Sequence, residues 1–192
     1  MMKSNFVFVA LRLRILLDTN LLISLHFVYK MAKLFLLLGG NLGDKEQIFS
    51  KARHRLQEEL GAIIEVSSIY ETEPWGFDCE DLFWNQVLVI ETKLLPVEVL
   101  KFTKAIELEL GRIRKAARYS SRLIDIDLLF YDDLVFHEPD LELPHPRMID
   151  RRFVLEPLAE VAADFVHPVF KQSIIGLLED CSDSLAVKRL ID

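Results

Sequence analysis

Residues 33–38 form an almost unbroken apolar run that stops at Gly39-Gly40, the pattern of a buried strand with a tight exit. Asp44 then stands where a helix cap belongs, and Ile48, Ala52, Leu56 and Leu60 recur every fourth residue until Gly61. Residues 63–70 are rich in β-branched side chains and predict a second strand. Residues 71–82 hold Pro74, Gly76 and several acids, a surface-loop composition, whereas residues 83–92 alternate as a third strand does. Pro96 suits the first turn of a second helix, with Val99, Phe102, Ile106 and Leu110 on one face and Gly111 at its end. Residues 123–131 are a strong strand; a turn at Asp132-Asp133, a short strand near 135–136 and a proline-rich loop at 144–146 follow. Helical spacing returns at 155–162 and 173–181. The order β-α-β-β-α-β predicts an α+β fold, a ferredoxin-like antiparallel sheet with helices packed on it, in a single domain.

Composition narrows the classes. The chain has 192 residues, enough for one sizeable core. Its formal net charge of −7 argues against a nucleic-acid or anionic-membrane binder. Cys79 and Cys181 are too few for a disulfide framework and have no partner at metal-ligand spacing, so free thiols in a reducing cytoplasm are expected. The first thirty residues are apolar, but Arg12, Arg14 and Asp18 interrupt them, leaving no run of about eighteen uncharged residues to span a bilayer. Residues 1–30 are therefore read as an extension upstream of a physiological start at Met31, and residues 31–192 as the domain.

Candidate chemistry concentrates in residues 111–131. Arg112, Arg114, Lys115, Arg118 and Arg122 cluster in an otherwise acidic chain, and Asp125 and Asp127 follow at once. Positions i and i+2 of a strand share a face, so the two carboxylates project together, about 7 Å apart, while Ile124, Ile126, Leu128 and Phe130 form the opposite, apolar face. Such a pair suits Mg²⁺, which takes one or two carboxylates and completes its octahedron with water and phosphate oxygens. Neighbouring guanidiniums grip phosphate bidentately. The same spacing also fits a solvated basic loop whose arginines pair with the strand's acids. GGNLGD at 39–44 lacks the Lys-Ser/Thr ending of a phosphate-cradling loop and is read instead as a turn closing beneath a substrate slot.

The run from Arg112 to Asp127, with LPHP at 143–146 and Arg151-Arg152-Phe153, resembles the signature of the 6-hydroxymethyl-7,8-dihydropterin pyrophosphokinase family. GGNLGD and the segment from Tyr70 to Pro74 resemble its opening motifs, in the same order, and the match extends from about Met31 to Pro168. The resemblance implies transfer of pyrophosphate from ATP to the pterin hydroxymethyl group in folate biosynthesis. It implies Asp125 and Asp127 as ligands of two Mg²⁺ ions, and Arg112, Arg114 and Arg122 as phosphate-contacting catalytic arginines. Glu107, His145 and Arg151 correspond to nucleotide-binding positions. Asn85 corresponds to the reader of the pterin edge, Thr72 to a backbone contact, and Trp75 and Phe153 to the two sides of a stacking slot. Each also has a plainer reading: Asn85 as a strand-to-loop tie, the aromatic residues with Phe77 as core anchors, and His145 as a packed loop residue.

The chain departs from the family pattern at Gly40, usually Ser, at Tyr119, usually Trp, and at Ser120-Ser121, usually Gly-Pro. None of these removes a metal ligand or an implied phosphate-binding arginine. The expected partners are small molecules, ATP and hydroxymethyldihydropterin, with no nucleic acid and no membrane, acting on a cytoplasmic monomer. Two other classes fit the bare pattern, another Mg²⁺-dependent phosphotransferase and a non-catalytic binding module on the same fold.

Overall fold

β1 (Ala32–Gly40) owes its central place to the apolar run: Leu34, Leu36 and Leu38 face one side, Phe35 and Leu37 the other, and all five are buried. The computed structural model describes residues 31–77, 79–112 and 120–190. In it β4 (Phe83–Thr92) and β5 (Asp125–Tyr131) flank β1, both antiparallel. β2 (Ala62–Val66) and β3 (Tyr70–Thr72) pair with successive stretches of β4, and β8 (Val187–Arg189) extends the sheet beyond β3. β6 (Phe136–Glu138) and β7 (Leu141–Leu143) form a separate two-stranded sheet.

Helices cover both faces. α1 (Lys45–Leu60) and α2 (Pro96–Glu109) lay Phe49, Leu56, Val99 and Ile106 against the Leu34–Leu36–Leu38 side. α3 (Arg152–Ala162) and α4 (Ile174–Glu179) bring Val154, Leu155, Leu158 and Ile174 to the Phe35–Leu37 side. Each such side chain contributes roughly 1.5–3 kcal/mol when fully buried, so β1, β4 and β5 are held firmly from above and below. The ends of α1 follow the sequence. The Asp44 carboxylate accepts from the Gln47 N–H at 3.0 Å, and Gly61 leaves the helix at φ 132°. Leu110 caps α2, and Gly111 follows it with φ 88°, a conformation that favours glycine.

Three expectations need correction. Residues 63–70 are not one strand. β2 stops at Val66, and the Ser67 hydroxyl accepts from the Val87 N–H at 2.9 Å, taking a β4 donor that a continuing strand would have used. Glu71 and Thr72 accordingly belong to β3 rather than to the loop. Phe130 does not share a face with Ile124, Ile126 and Leu128. β1 pairs Leu36 with Leu128 and Phe35 with Phe130, so Leu129 is an extra residue, a bulge that reverses the alternation. Phe130 therefore meets Phe35 edge to face at 5.7 Å, while Tyr131 takes the first face and its hydroxyl donates to the Leu94 carbonyl at 2.9 Å.

The remaining elements shift by a few residues. β6 begins at Phe136 and pairs with β7, and α3 starts at Arg152, three residues earlier than its helical spacing shows. Cys79 and Cys181 are free thiols. No helix among the described residues is long and apolar enough to cross a membrane. The expectations about residues 1–30, Arg114, Lys115, Arg118 and Tyr119 lie outside the described residues.

Candidate active site

The ends of β1, β4 and β5 share one rim of the sheet, and the acids stand there because of register. Asp125 pairs with Gly39 and Asp127 with Leu37, while Asn85 of β4 lies across Gly39 from the other side. Gly39 has no side chain to fill the space between Asp125 and Asn85. A cavity of about 260 Å³ opens at this rim. Asp125, Asp127, Arg112 and Arg122 line one part of it, and Thr72, Trp75, Asn85 and Phe153 another, with Arg151 also in its wall. Nine of the residues singled out from the sequence thus meet in one place.

The polar half is a packed charge cluster. Arg112 bridges Asp125 and Glu107, and Arg122 pairs with the other oxygen of Asp125. Burial alone would lower the Arg112 pKa, but the charges of Asp125 and Glu107 outweigh it and hold Arg112 above its ordinary value. Burial, and then the charge of Asp125, push Asp127 up to about 6, against the pull of Arg151, Arg122 and Arg112. The Asp127 carboxylate therefore lacks full compensation from its arginines. Glu107 is buried behind the cavity, where it accepts from the Ile126 N–H at 2.8 Å; burial and the charge of Asp125 push it up to about 7. It does not line the cavity and instead braces the start of β5.

The apolar half is an aromatic slot that is closed here. Trp75 and Phe153, expected as its two parallel sides, meet edge to face instead, with ring centroids 6.5 Å and planes 61° apart, and the Arg151 guanidinium lies 5.0 Å and 5.6 Å from them. Asn85 is buried, and its amide donates to the Thr72 hydroxyl at 3.1 Å, which fixes the side chain and leaves its oxygen toward Gly39. Phe83 and Phe77 stack edge to face at 6.0 Å and line the same space, and Arg122 lies 5.6 Å from the Phe83 ring. Phe83 and Arg147 also belong to the wall. Phe83 could have been read from the sequence, since it alternates with Asn85; Arg147 sits in a proline-rich loop where no periodicity assigns direction.

Asp127 also borders a second cavity, of about 310 Å³, on the far side of β5. Its wall combines Leu100, Ile126, Leu128 and Leu141 with the exposed acids Glu138, Asp140 and Glu142, and with His145. Burial, reinforced by the charges of Arg151 and Arg147, lowers His145 to about 4, so it is neutral at pH 7. Its Nδ1 accepts from the Arg147 N–H at 3.3 Å, which requires that nitrogen to be unprotonated.

The donor set fits a hard divalent cation held jointly with a ligand. Among the described residues no group of three or more His, Cys, Asp or Glu could hold a metal, so the Asp125–Asp127 pair needs oxygens from elsewhere. Phosphate oxygens would supply them. Arg122 Nε is buried with no hydrogen-bond partner and offers a further donor to an anion.

Comparison with known proteins shows the family. Residues 35–163 match the family model described as 7,8-dihydro-6-hydroxymethylpterin-pyrophosphokinase. A 2-amino-4-hydroxy-6-hydroxymethyldihydropteridine pyrophosphokinase of Porphyromonas gingivalis is 44% identical over 141 residues, covering 72% of this chain and 95% of the relative. One of the same name from Aquifex aeolicus is 38% identical over 144 residues, covering 75% and 89%. Among solved structures, wild-type Plasmodium falciparum HPPK-DHPS superposes with a TM-score of 0.66 at 19% identity, which speaks to the fold alone; the match covers 82% of this chain and 46% of that longer one. By the family model and these relatives, the chain belongs to the 7,8-dihydro-6-hydroxymethylpterin-pyrophosphokinase family.

Proposed function

We propose that the chain transfers the pyrophosphoryl group of ATP to the hydroxymethyl oxygen of 6-hydroxymethyl-7,8-dihydropterin, releasing AMP, as a step of folate biosynthesis. The observation that carries this reading is the meeting, in one cavity, of an acid pair, a set of arginines and an aromatic slot edged by a fixed amide.

The pterin ring packs on the aromatic wall and enters between Trp75 and Phe153 only as their edge-to-face contact opens, with its donor and acceptor edge toward Asn85, whose orientation Thr72 sets. ATP lays its base in the second cavity and passes its triphosphate across Asp127 toward Arg112 and Arg122. Asp125 and Asp127 would hold Mg²⁺, two ions in this reading, which would supply neutralisation of phosphate charge and a lower proton affinity at the hydroxyl. Arg112 and Arg122 occupy Asp125 until nucleotide arrives, then exchange that carboxylate for phosphate oxygens and stabilise the charge that develops as the pterin oxygen attacks the β-phosphorus in line. Phe77, Phe83, Trp75 and Phe153 keep water from the same space. His145 contributes a neutral imidazole to the nucleotide side, and Arg151 a fixed cation between the two substrates.

The neighbour order β5-β1-β4, with β2 also on β4 and two helices on one face, supports a ferredoxin-like core. A cytoplasmic monomer is the proposed form, in keeping with two free thiols. Incubation of the purified chain with Mg²⁺, ATP and hydroxymethyldihydropterin should yield AMP and the pterin diphosphate in equal amounts. Formation of ADP, or of free pyrophosphate in place of the pterin diphosphate, would overturn the assignment.

A further inference from the structure

The glycine-rich turn after β1 is not used by the chemistry above, yet it is built tightly around one backbone segment. The Asn41 N–H donates to the Arg122 carbonyl at 3.0 Å, and the Asn41 side-chain oxygen accepts from the Arg122 N–H at 2.8 Å. Both backbone groups of Arg122 are thus taken by the same residue. Leu42 N–H donates to the same carbonyl at 3.2 Å. The adjoining glycines are cut to this fit: a Cβ on Gly40 would stand 2.4 Å from the Leu123 carbonyl oxygen, and Gly43, at φ 72°, faces the Leu123 side chain at 3.0 Å. The Asn41 amide nitrogen donates to the Ser121 hydroxyl at 3.1 Å, next to Arg122, and also reaches a different segment, donating to the Asp81 carbonyl at 3.3 Å and meeting Cys79 Sγ at 3.6 Å. Asn41 is 4% exposed, so none of these bonds has water as an easy substitute.

We infer that Asn41 is a positioning residue for transfer: its oxygen fixes the Arg122 backbone, and with it the angle at which that guanidinium meets phosphate, while its amide nitrogen ties residues 79–81, beside the aromatic slot, to the same point. This rests on the reading of the cavity as a joint nucleotide and pterin site. A displacement of about 1 Å in a group that stabilises transition-state charge is enough to cost on the order of 10²-fold in rate. GGNLGD then also serves as the seat of Arg122, while Gly39 keeps its place in the cavity wall.

A double-mutant cycle tests this. Asn41→Ala should lower kcat about 30-fold and weaken Mg²⁺–α,β-methylene-ATP about 10-fold in the wild-type background, but change either by less than about 3-fold when Arg122 is already Ala, because coupled residues are not additive. Asn41→Asp keeps the acceptor for Arg122 N–H, leaves the Ser121 hydroxyl able to donate to the new carboxylate, and loses the donor to the Asp81 carbonyl; it should raise the pterin KM about 10-fold and leave the nucleotide Kd within about 3-fold. Equal penalties in both Arg122 backgrounds, or a loss confined to Tm with kinetic constants per folded molecule unchanged, would overturn the inference. The methylene-ATP affinities need no turnover, so they judge the role of Asn41 even if the wild-type chain makes no AMP from the pterin.

Discussion

The two cavities that meet at Asp127 are close in size and opposite in character. The first joins aromatic rings to Arg112, Arg122, Arg147 and Arg151; the second is apolar at its base, acidic at its rim, and has a neutral imidazole where a cation would be expected. A polyanion is drawn to the first and repelled by the rim of the second, whereas an uncharged planar base meets no penalty in the second. Under the proposed function the difference would give a nucleotide one direction of entry, base on the acidic side and phosphates on the arginine side, with Asp127 as the divider.

Removing the divider should have the largest effect. Asp127→Ala is expected to lower AMP formation by about 10³-fold or more, since under the proposed function it deletes a ligand of the Mg²⁺ that would offset the charge developing on the transferred phosphates. Because burial and Asp125 raise the Asp127 pKa, its charge opposes folding, so thermal unfolding of the variant should show a Tm equal to or above that of the parent. A variant that keeps wild-type turnover would refute the division itself. Arg112→Ala comes next, with about 10²-fold lost from kcat in steady-state assays, a cost typical of one charge-stabilising donor. A fall in nucleotide affinity alone would place Arg112 in ground-state binding instead.

The neutral histidine of the second cavity predicts a pH effect. His145 is lowered from 6.5 to about 4 in the folded chain, so the unfolded chain takes up the proton first as pH falls. Its contribution to stability is complete above about pH 6.5 and is lost progressively down to about pH 4, amounting to about 2 kcal/mol between pH 7 and pH 5. Urea unfolding at both pH values should show that the parent loses this much more than His145→Gln; equal losses would mean that the imidazole is not held neutral. The smallest effects should separate the cavities most cleanly. Phe153→Ala should raise the pterin KM about 10-fold and Leu141→Ala the ATP KM about 5-fold, each leaving the other substrate within about 2-fold in initial-rate measurements.

Much of the first cavity was legible because strand parity is a strict rule. Asp125 with Asp127, and Phe83 with Asn85, follow from alternation once their strands are recognised. The second cavity was not legible, since Glu138, Asp140 and Glu142 belong to a short two-stranded ribbon whose second strand gives no sequence signal of its own. Glu107 entered through the resemblance alone, because helical spacing does not say that it is buried with its carboxylate accepting from the Ile126 N–H. The break at Ser67 depended on a side-chain-to-backbone bond, and Asn41 was hidden because its importance lies in contacts 38 to 81 residues distant.

The extra residue at Leu129 has a consequence for how this strand can change over time. It restarts the count, so the acid-bearing half of β5 and the half that stacks with Phe35 obey separate parities. Drift in the aromatic end is thereby insulated from the reactive end, and substitutions that look out of phase for a single strand are in phase for two short ones joined at a kink.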